Sequence, residues 1–424
     1  MSPEHLIRSS EGLRNVKYEI RGKLARRAHE LERLGHEIVS LNIGNPGAFG
    51  FRTPETMRLA MIENLPVAEG YCHQKGIFPA REAVVMHQQA RGVSGVSADE
   101  VFMGNGVSEL IDLTLRALLN DGDEVLVPSP DYPLWTAAVT LNRGRAVHYP
   151  CHPDNAFVPT IEDIAALVTP RTRAIVVINP NNPTGAVYPR LLLESIAALA
   201  ERHGLVVFSD EIYDQMTYDG AVFTPMATLV RDTVCVTLSG LSKIYRACGY
   251  RVGWAVFSGK LRAAADYLSA MELLSSLRLC SNVPAQWAVQ TALGGYQSIK
   301  ELITPGGRLY ESRRALIDAT RASRFLALEP PAGAMYAFVR VKTDVLGEFD
   351  DHAFALDLLE QKHVLIAPGV SFNVPYRNHF RVTTLPDAAL LKAVFGRIDD
   401  LLAAYAAAPR RDRPRVVDAQ DRFR

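Results

Sequence analysis

From residue 109 to residue 274 the chain alternates short β-rich apolar runs with amphipathic helical stretches. The β runs are Glu124–Val127, Ala174–Ile178, Leu205–Phe208 and Thr233–Leu238, and the helical stretches are Glu109–Leu119, Leu191–Arg202 and Leu261–Leu274. Strands that read as nearly continuous apolar runs, each followed by a helix, are the pattern of a mainly parallel sheet covered on both faces. The expected class is therefore α/β. In such a sheet ligands collect beyond the carboxyl ends of the strands. Each of these runs ends in an unusual polar cluster, which puts the chemistry where the topology asks for it.

The rest of the chain extends this frame. Residues 12–36 read as an N-terminal arm leading into a helix. Residues 307–323 read as a long charged helix, followed by a β pair around Phe325–Val341 and a helix near Ala353–Gln361. Strands at Val364–Ala367 and Phe380–Thr383 and a last helix from Asp387 complete the pattern. The expected organisation is an arm and helix at 1–45, a large domain at 46–306 and a smaller α+β domain at 307–408. An Arg/Asp/Pro-rich tail at 409–424 is expected to be mobile.

With 424 residues, 48% hydrophobic and 22% charged, the chain can bury a sizeable core. Lys plus Arg and Asp plus Glu number 46 each, so no charge bias points to nucleic acid or an anionic membrane. The five cysteines, Cys72, Cys151, Cys235, Cys248 and Cys280, form no CxxC pair. They read as reduced thiols in a cytoplasmic protein, not as disulfides or a zinc site, and no metal is expected. The first residues lack a basic-then-apolar signal, and no uncharged apolar run approaches the ~20 residues that span a bilayer.

Lys243 lies in Ser239-Gly240-Leu241-Ser242-Lys243, followed by Gly249-Tyr250-Arg251. A lysine amine condenses with an aldehyde to a Schiff base. The hydroxyls of Ser239 and Ser242 and the guanidinium of Arg251 suit a phosphate on the same molecule. Pyridoxal phosphate carries both groups. Asp210, at the end of the run Leu205–Phe208, could hold a pyridine nitrogen protonated, with Glu211 turned to the opposite side. A helix N-cap is the competing role for Asp210. Asn179-Pro180-Asn181-Asn182-Pro183-Thr184-Gly185 is a rigid loop in which Asn182, joined by Tyr213, could donate to a phenolate oxygen. Gly104-Asn105-Gly106-Val107-Ser108 opens a helix and so offers an anion site, with Ser108 as the expected cap. Tyr132 could stack on a flat ring or belong to the core. Arg381 interrupts an apolar strand. It needs an acidic partner, either a carboxylate ligand or an internal carboxylate. Gly44 lets backbone approach a small substrate.

Taken together, NPNNPTG, SDEIY and SGLSKIYRACGYRVGW resemble, in order and spacing, the fold-type I pyridoxal-phosphate aminotransferases of class I/II. LNIGNP, GYCHQKG, GNGVSEL, PDYPLWTAAV and MELLSSLRLCSNVPAQ are similar to the bacterial alanine (glutamate–pyruvate) aminotransferases. The resemblance covers roughly residues 10 to 405. It implies Lys243 as the Schiff-base lysine and proton shuttle, and Asp210 at the pyridine nitrogen. It places Asn182 and Tyr213 at the ring oxygen and Tyr132 on the ring face. Val107, Ser108, Ser242 and Arg251 would hold the phosphate. Tyr71 would reach the phosphate of a neighbouring subunit, which implies a homodimer with shared sites. Arg381, with Gly44 and Asn182, would bind the substrate α-carboxylate, and Tyr18 and Arg21 would lie in a covering arm. Many relatives carry serine where this chain has Gly240, so the phosphate hydroxyl must come from another serine.

The implied reaction is L-alanine plus 2-oxoglutarate giving pyruvate plus L-glutamate, in ping-pong order. The alternatives are another amino-acid preference (aspartate, valine or aromatic), β-elimination, or a cofactor-binding regulatory module. GNGVSE lacks the GxGxxG spacing of a nicotinamide dehydrogenase.

Overall fold

The computed structural model describes residues 7, 9–13, 16 and 22–407. Tyr18, Arg21 and the tail at 409–424 lie outside the described residues. The strands, in chain order, are β1 (Val39–Ser40), β2 (Val101–Gly104), β3 (Glu124–Ser129), β4 (Arg145–Pro150), β5 (Thr172–Ile178), β6 (Val206–Asp210), β7 (Val234–Gly240) and β8 (Gly253–Gly259). After them come β9 (Leu326–Ala327), β10 (Tyr336–Val341), β11 (Val364–Leu365), β12 (Ala367–Pro368) and β13 (His379–Thr383).

Seven strands form one sheet in the order β2-β8-β7-β6-β5-β3-β4. The pairs from β7 to β4 are all parallel, and β8 alone runs against its neighbours. The class expected from the alternation, α/β with a mainly parallel sheet, is the class observed. Alternate residues feed two separate cores, as a period of two requires. Val176, Phe208, Val236 and Leu238 pack under the helices Val107–Leu118 and Ala265–Leu277. On the other face Ile175, Val177, Val207 and Cys235 meet Leu193, Ile196 and Ala200 of the helix Arg190–His203. All these residues are buried.

A four-stranded antiparallel sheet, β12-β13-β10-β9, forms the second layer system. Its core joins Val339 and Phe380 to Phe354 and Leu358 of the helix Asp351–Lys362 and to Leu391 of the helix Ala388–Ala407. Leu24, Ala28 and Leu31, one stripe of the helix Lys23–Arg33, belong to the same core.

Two local expectations are corrected. The run Val364–Ala367 is not one strand. β11 pairs in parallel with β1, whereas β12 pairs with β13, so the chain changes sheets at Ile366. The stretch Leu261–Leu274 begins as a single 3₁₀ turn, Leu261–Ala264, and becomes α-helical only over Ala265–Leu277.

Candidate active site

The carboxyl ends of β3, β5, β6 and β7 open onto one cavity of about 1130 Å³. Because β8 is reversed, its entrance faces the same way, and Arg251 just before it joins the rim. Of the residues singled out from sequence, Gly44, Val107, Ser108, Tyr132, Asn182, Asp210, Tyr213, Ser242, Lys243, Arg251 and Arg381 all line this cavity. Tyr71 does not. It stands on the surface, 82% exposed.

Asp210 is the last residue of β6 and is buried. Trp135 Nε1 donates to its Oδ2 at 3.2 Å, and the Ile212 N–H reaches Oδ1 at 3.4 Å. Both donors are neutral. Burial pushes the carboxyl up to about 6, which these donors and nearby Lys243 only partly offset, while Glu211 adds to the rise. No helix starts at Asp210, so the N-cap role falls away. Glu211 faces the other side of the sheet. There it pairs with Arg91 and accepts from Ser209 Oγ at 2.9 Å and the Met226 N–H at 3.2 Å.

Arg381 is 1% exposed and lies in β13. Its Nη1 donates to Asn182 Oδ1 at 2.8 Å, and its Nη2 donates to the Asn42 carbonyl. Its guanidinium sits over the rings of Tyr336 and Phe372, 4.3 and 4.7 Å from their centroids. Nε is buried with no hydrogen-bond partner, and among the described residues no carboxylate pairs with this arginine. A buried guanidinium held only by neutral groups is suited to a carboxylate ligand, and the internal carboxylate considered for it is not found among the described residues.

Lys243 Nζ donates to the Gly44 carbonyl at 2.7 Å. Beyond it, the helix Val107–Leu118 points its first backbone N–H groups at the cavity. Its N-cap is Gly106, and no side chain caps it, so the capping role expected of Ser108 is corrected. Ser108 falls one residue inside the helix, while the N-cap Gly106 adopts φ 84° and packs against the Arg251 guanidinium. Arg251 is held by two carbonyls, Nη1 to Cys248 at 2.9 Å and Nη2 to Asn105 at 3.1 Å.

The absent serine at position 240 has a steric reason. A Cβ on Gly240 would lie 2.6 Å from the Val252 carbonyl oxygen and 2.9 Å from Gly253 Cα. Among the serines, Ser108 and Ser242 line the cavity and Ser239 does not.

Sequence reasoning missed several groups. Trp135 holds Asp210, and Tyr336 receives the Tyr213 hydroxyl at 3.5 Å. Glu109 braces the Gly104–Gly106 turn, accepting from the Asn105 N–H at 2.6 Å and from Arg278 Nη1 at 2.6 Å. Nothing in local spacing marks these residues.

The residues present fit pyridoxal phosphate on structural grounds. A buried carboxylate whose hydrogen-bond donors are all neutral suits a protonated pyridine nitrogen. A helix N-terminus flanked by Arg251 suits a phosphate, and Lys243 lines the same cavity. Fold and site together define a fold-type I transferase. The chain belongs to the class I and II aminotransferases, whose family model matches residues 36–398, and that family uses pyridoxal phosphate. It is 48% identical over 405 residues to the glutamate-pyruvate aminotransferase AlaA of Escherichia coli strain K12, covering 96% of this chain and 99% of the relative. It is 45% identical over 397 residues to the alanine aminotransferase of Mycobacterium tuberculosis strain H37Rv, covering 93% and 92%. A solved aminotransferase from Escherichia coli superposes with a TM-score of 0.93 at 47% identity, over 95% of this chain and 100% of the other.

Proposed function

We propose that this chain is an alanine aminotransferase, interconverting L-alanine plus 2-oxoglutarate with pyruvate plus L-glutamate in ping-pong order. The observation that carries the reading is the convergence of Lys243, Asp210 and Arg381 on one cavity. The choice of alanine is supported by the near full-length likeness to the Escherichia coli glutamate-pyruvate aminotransferase.

Pyridoxal phosphate, when bound, supplies an aldehyde for the substrate amine and a ring that accepts electrons from the α-carbon. Asp210, destabilised as an anion by burial, holds a proton on the pyridine nitrogen. Asn182 keeps its Oδ1 on Arg381, which leaves the Nδ2 amide to donate to the ring oxygen. Tyr213 donates beside it, and Tyr132 covers the ring face. Val107, Ser108, Ser242 and Arg251 hold the phosphate. Arg381 grips the α-carboxylate, with Gly44 and Asn182 at its side. Lys243, already bonded to the Gly44 carbonyl on the substrate's side, takes and returns the α-proton.

The working unit in this reading is a homodimer in which Tyr71 reaches the partner's phosphate. Tyr71 is exposed within its own chain, and so are Leu59, Ile62, Leu65, Val67 and Phe78 in the same stretch. A second copy would cover this apolar surface. The proposed units are the arm and helix at 1–45, a cofactor-binding domain at 46–306 and a small domain at 307–408. No helix among the described residues is long and apolar enough to cross a membrane. The five cysteines are free thiols, which supports the cytoplasm as the proposed site of action.

Steady-state rates over a panel of amino and 2-oxo acids test the substrate. Alanine and 2-oxoglutarate should rank first. Aspartate, valine or an aromatic amino acid ahead of alanine would overturn the specificity, and β-elimination products would overturn the reaction type.

A further inference from the structure

We propose that Tyr336 is a positioning residue of this site, acting on the Tyr213 hydroxyl and the Arg381 guanidinium at once. The inference rests on the aminotransferase reading and deepens it.

The register of β10 and β13 sets Tyr336 opposite Thr383 and Phe338 opposite Arg381. Residues directly opposite share a face, and so do residues two apart on one strand. Tyr336 and Arg381 are therefore diagonal neighbours on one face of the small sheet, and the guanidinium lies 4.3 Å from the ring centroid. The other end of the side chain crosses to the large sheet. Tyr213, just beyond β6, donates its hydroxyl to the Tyr336 oxygen at 3.5 Å, and the two rings meet edge to face at 6.0 Å and 85°. A Cβ on Gly44 would lie 2.2 Å from the Tyr336 hydroxyl, so the backbone that accepts Lys243 is packed directly on it. The ring is 3% exposed and has no room to swing away.

The charged and titratable groups facing this pair are Lys243 after β7, Arg381 on β13 and Asp210 at the end of β6. Burial alone would raise the Tyr336 phenol. The two cations and the Tyr213 hydroxyl outweigh it, and the net shift is downward. Tyr213 moves the other way, well above its usual value, because burial dominates and Tyr336 adds to it. Lys243 and Arg381 beside the Tyr336 phenol favour its giving up a proton, so its hydroxyl is fit to donate. When Tyr213 turns its proton to the cofactor's ring oxygen, Tyr336 can donate to the Tyr213 oxygen behind it. Two hydroxyls in series polarise each other and strengthen the final donor.

Tyr336→Phe removes the hydroxyl and keeps the ring beneath Arg381. The variant should be compared with the wild-type holoenzyme by three readouts. These are the pH midpoint of the visible absorption band, the Kd of pyridoxal phosphate for the apoprotein, and the Kd of a non-reacting dicarboxylate such as maleate. The midpoint should rise by about 0.5–1 unit, the size of one ordinary hydrogen bond, and pyridoxal phosphate should bind more weakly. Maleate affinity should change by less than about twofold, because the cation–ring contact survives. Tyr336→Leu should in addition weaken maleate binding roughly 3- to 30-fold. In a Tyr213→Phe background the Tyr336→Phe shift should vanish. An unchanged midpoint in Tyr336→Phe, or the same shift in the Tyr213→Phe background, overturns the proposal. A wild-type protein that binds no pyridoxal phosphate overturns the aminotransferase reading as well. A wild type that transaminates beside a silent Tyr336→Phe overturns only the role of Tyr336.

Discussion

Arg381 Nη1 donates to Asn182 Oδ1 over 2.8 Å, so the proposed carboxylate clamp and the proposed ring-oxygen donor are one hydrogen-bonded unit. The contact joins the small sheet to the loop that follows β5. It implies that the substrate end and the cofactor end of the cavity are not independent.

Arg381→Ala should raise KM for alanine and weaken a non-reacting dicarboxylate by roughly 2–5 kcal/mol, the range for a desolvated bidentate charge contact. Because Asn182 loses its partner, the cofactor's visible spectrum should shift too. Asn182→Ala should reduce dicarboxylate affinity without touching the dicarboxylate's charge partner. A double-mutant cycle that returns strict additivity would show that the contact carries no coupling.

Lys243→Ala should leave the thermal transition of the apoprotein near that of wild type, since among the described residues this side chain makes only the Gly44 hydrogen bond. Turnover should fall by several orders of magnitude. Borohydride should fix pyridoxal phosphate to the wild-type protein at Lys243 and leave the variant unlabelled, as peptide mass analysis would register. Full activity in the variant would refute the assignment.

Asp210 gives a pH dependence with a definite sign. Its carboxyl is raised by burial from 3.8 to about 6 in the folded chain. Between these two values the folded state binds more protons than the unfolded one, so stability of the apoprotein falls as pH rises through this window. The cost is fully present above about pH 6 and disappears below about pH 4. Asp210→Asn should therefore stabilise the apoprotein above pH 6 by about 1–3 kcal/mol, with the gap closing at acid pH. Urea unfolding of both apoproteins at pH 4.0 and pH 7.5 checks it. The same variant should lose most of its activity, since an amide cannot hold the pyridine nitrogen protonated.

Gly240→Ser supplies the hydroxyl that the resemblance led one to expect here, yet it should harm this chain. The added Cβ meets backbone at 2.6 and 2.9 Å, and backbone cannot yield as a flexible side chain would. A loss of about 1–3 kcal/mol is expected from overpacking, with no gain in phosphate affinity. Calorimetry and pyridoxal phosphate titration report the two halves separately.

The large sheet was legible because its strands are buried on both faces and read as apolar β-branched runs, as in Ala174–Ile178. That Lys243 and Asp210 would share one cavity was legible because each lies just beyond a strand's carboxyl end, where such a sheet gathers its ligands. Tyr336 and Trp135 were not. Each looks like core in its own segment, and only the tertiary path brings Tyr336 to Tyr213, 123 positions earlier. Ser108 misled for the opposite reason. Its type suits a cap, but the turn places Gly106 at that position. The run Val364–Ala367 reads as a single strand because composition carries no information about which sheet a residue joins.

The reversal of β8 puts Lys243 and Arg251 on one short stretch of chain. In an all-parallel sheet the exits of two adjacent strands are separated by a whole helix crossover. Here β7 and β8 are adjacent and antiparallel, with Gly240 paired to Gly253, so one brief excursion leaves the sheet and returns to it. Lys243 stands at the start of that excursion and Arg251 at its end. The amine and the cation thus form the two jaws of a single caliper. Each jaw is steadied from outside the excursion, Lys243 Nζ by the Gly44 carbonyl and Arg251 Nη2 by the Asn105 carbonyl.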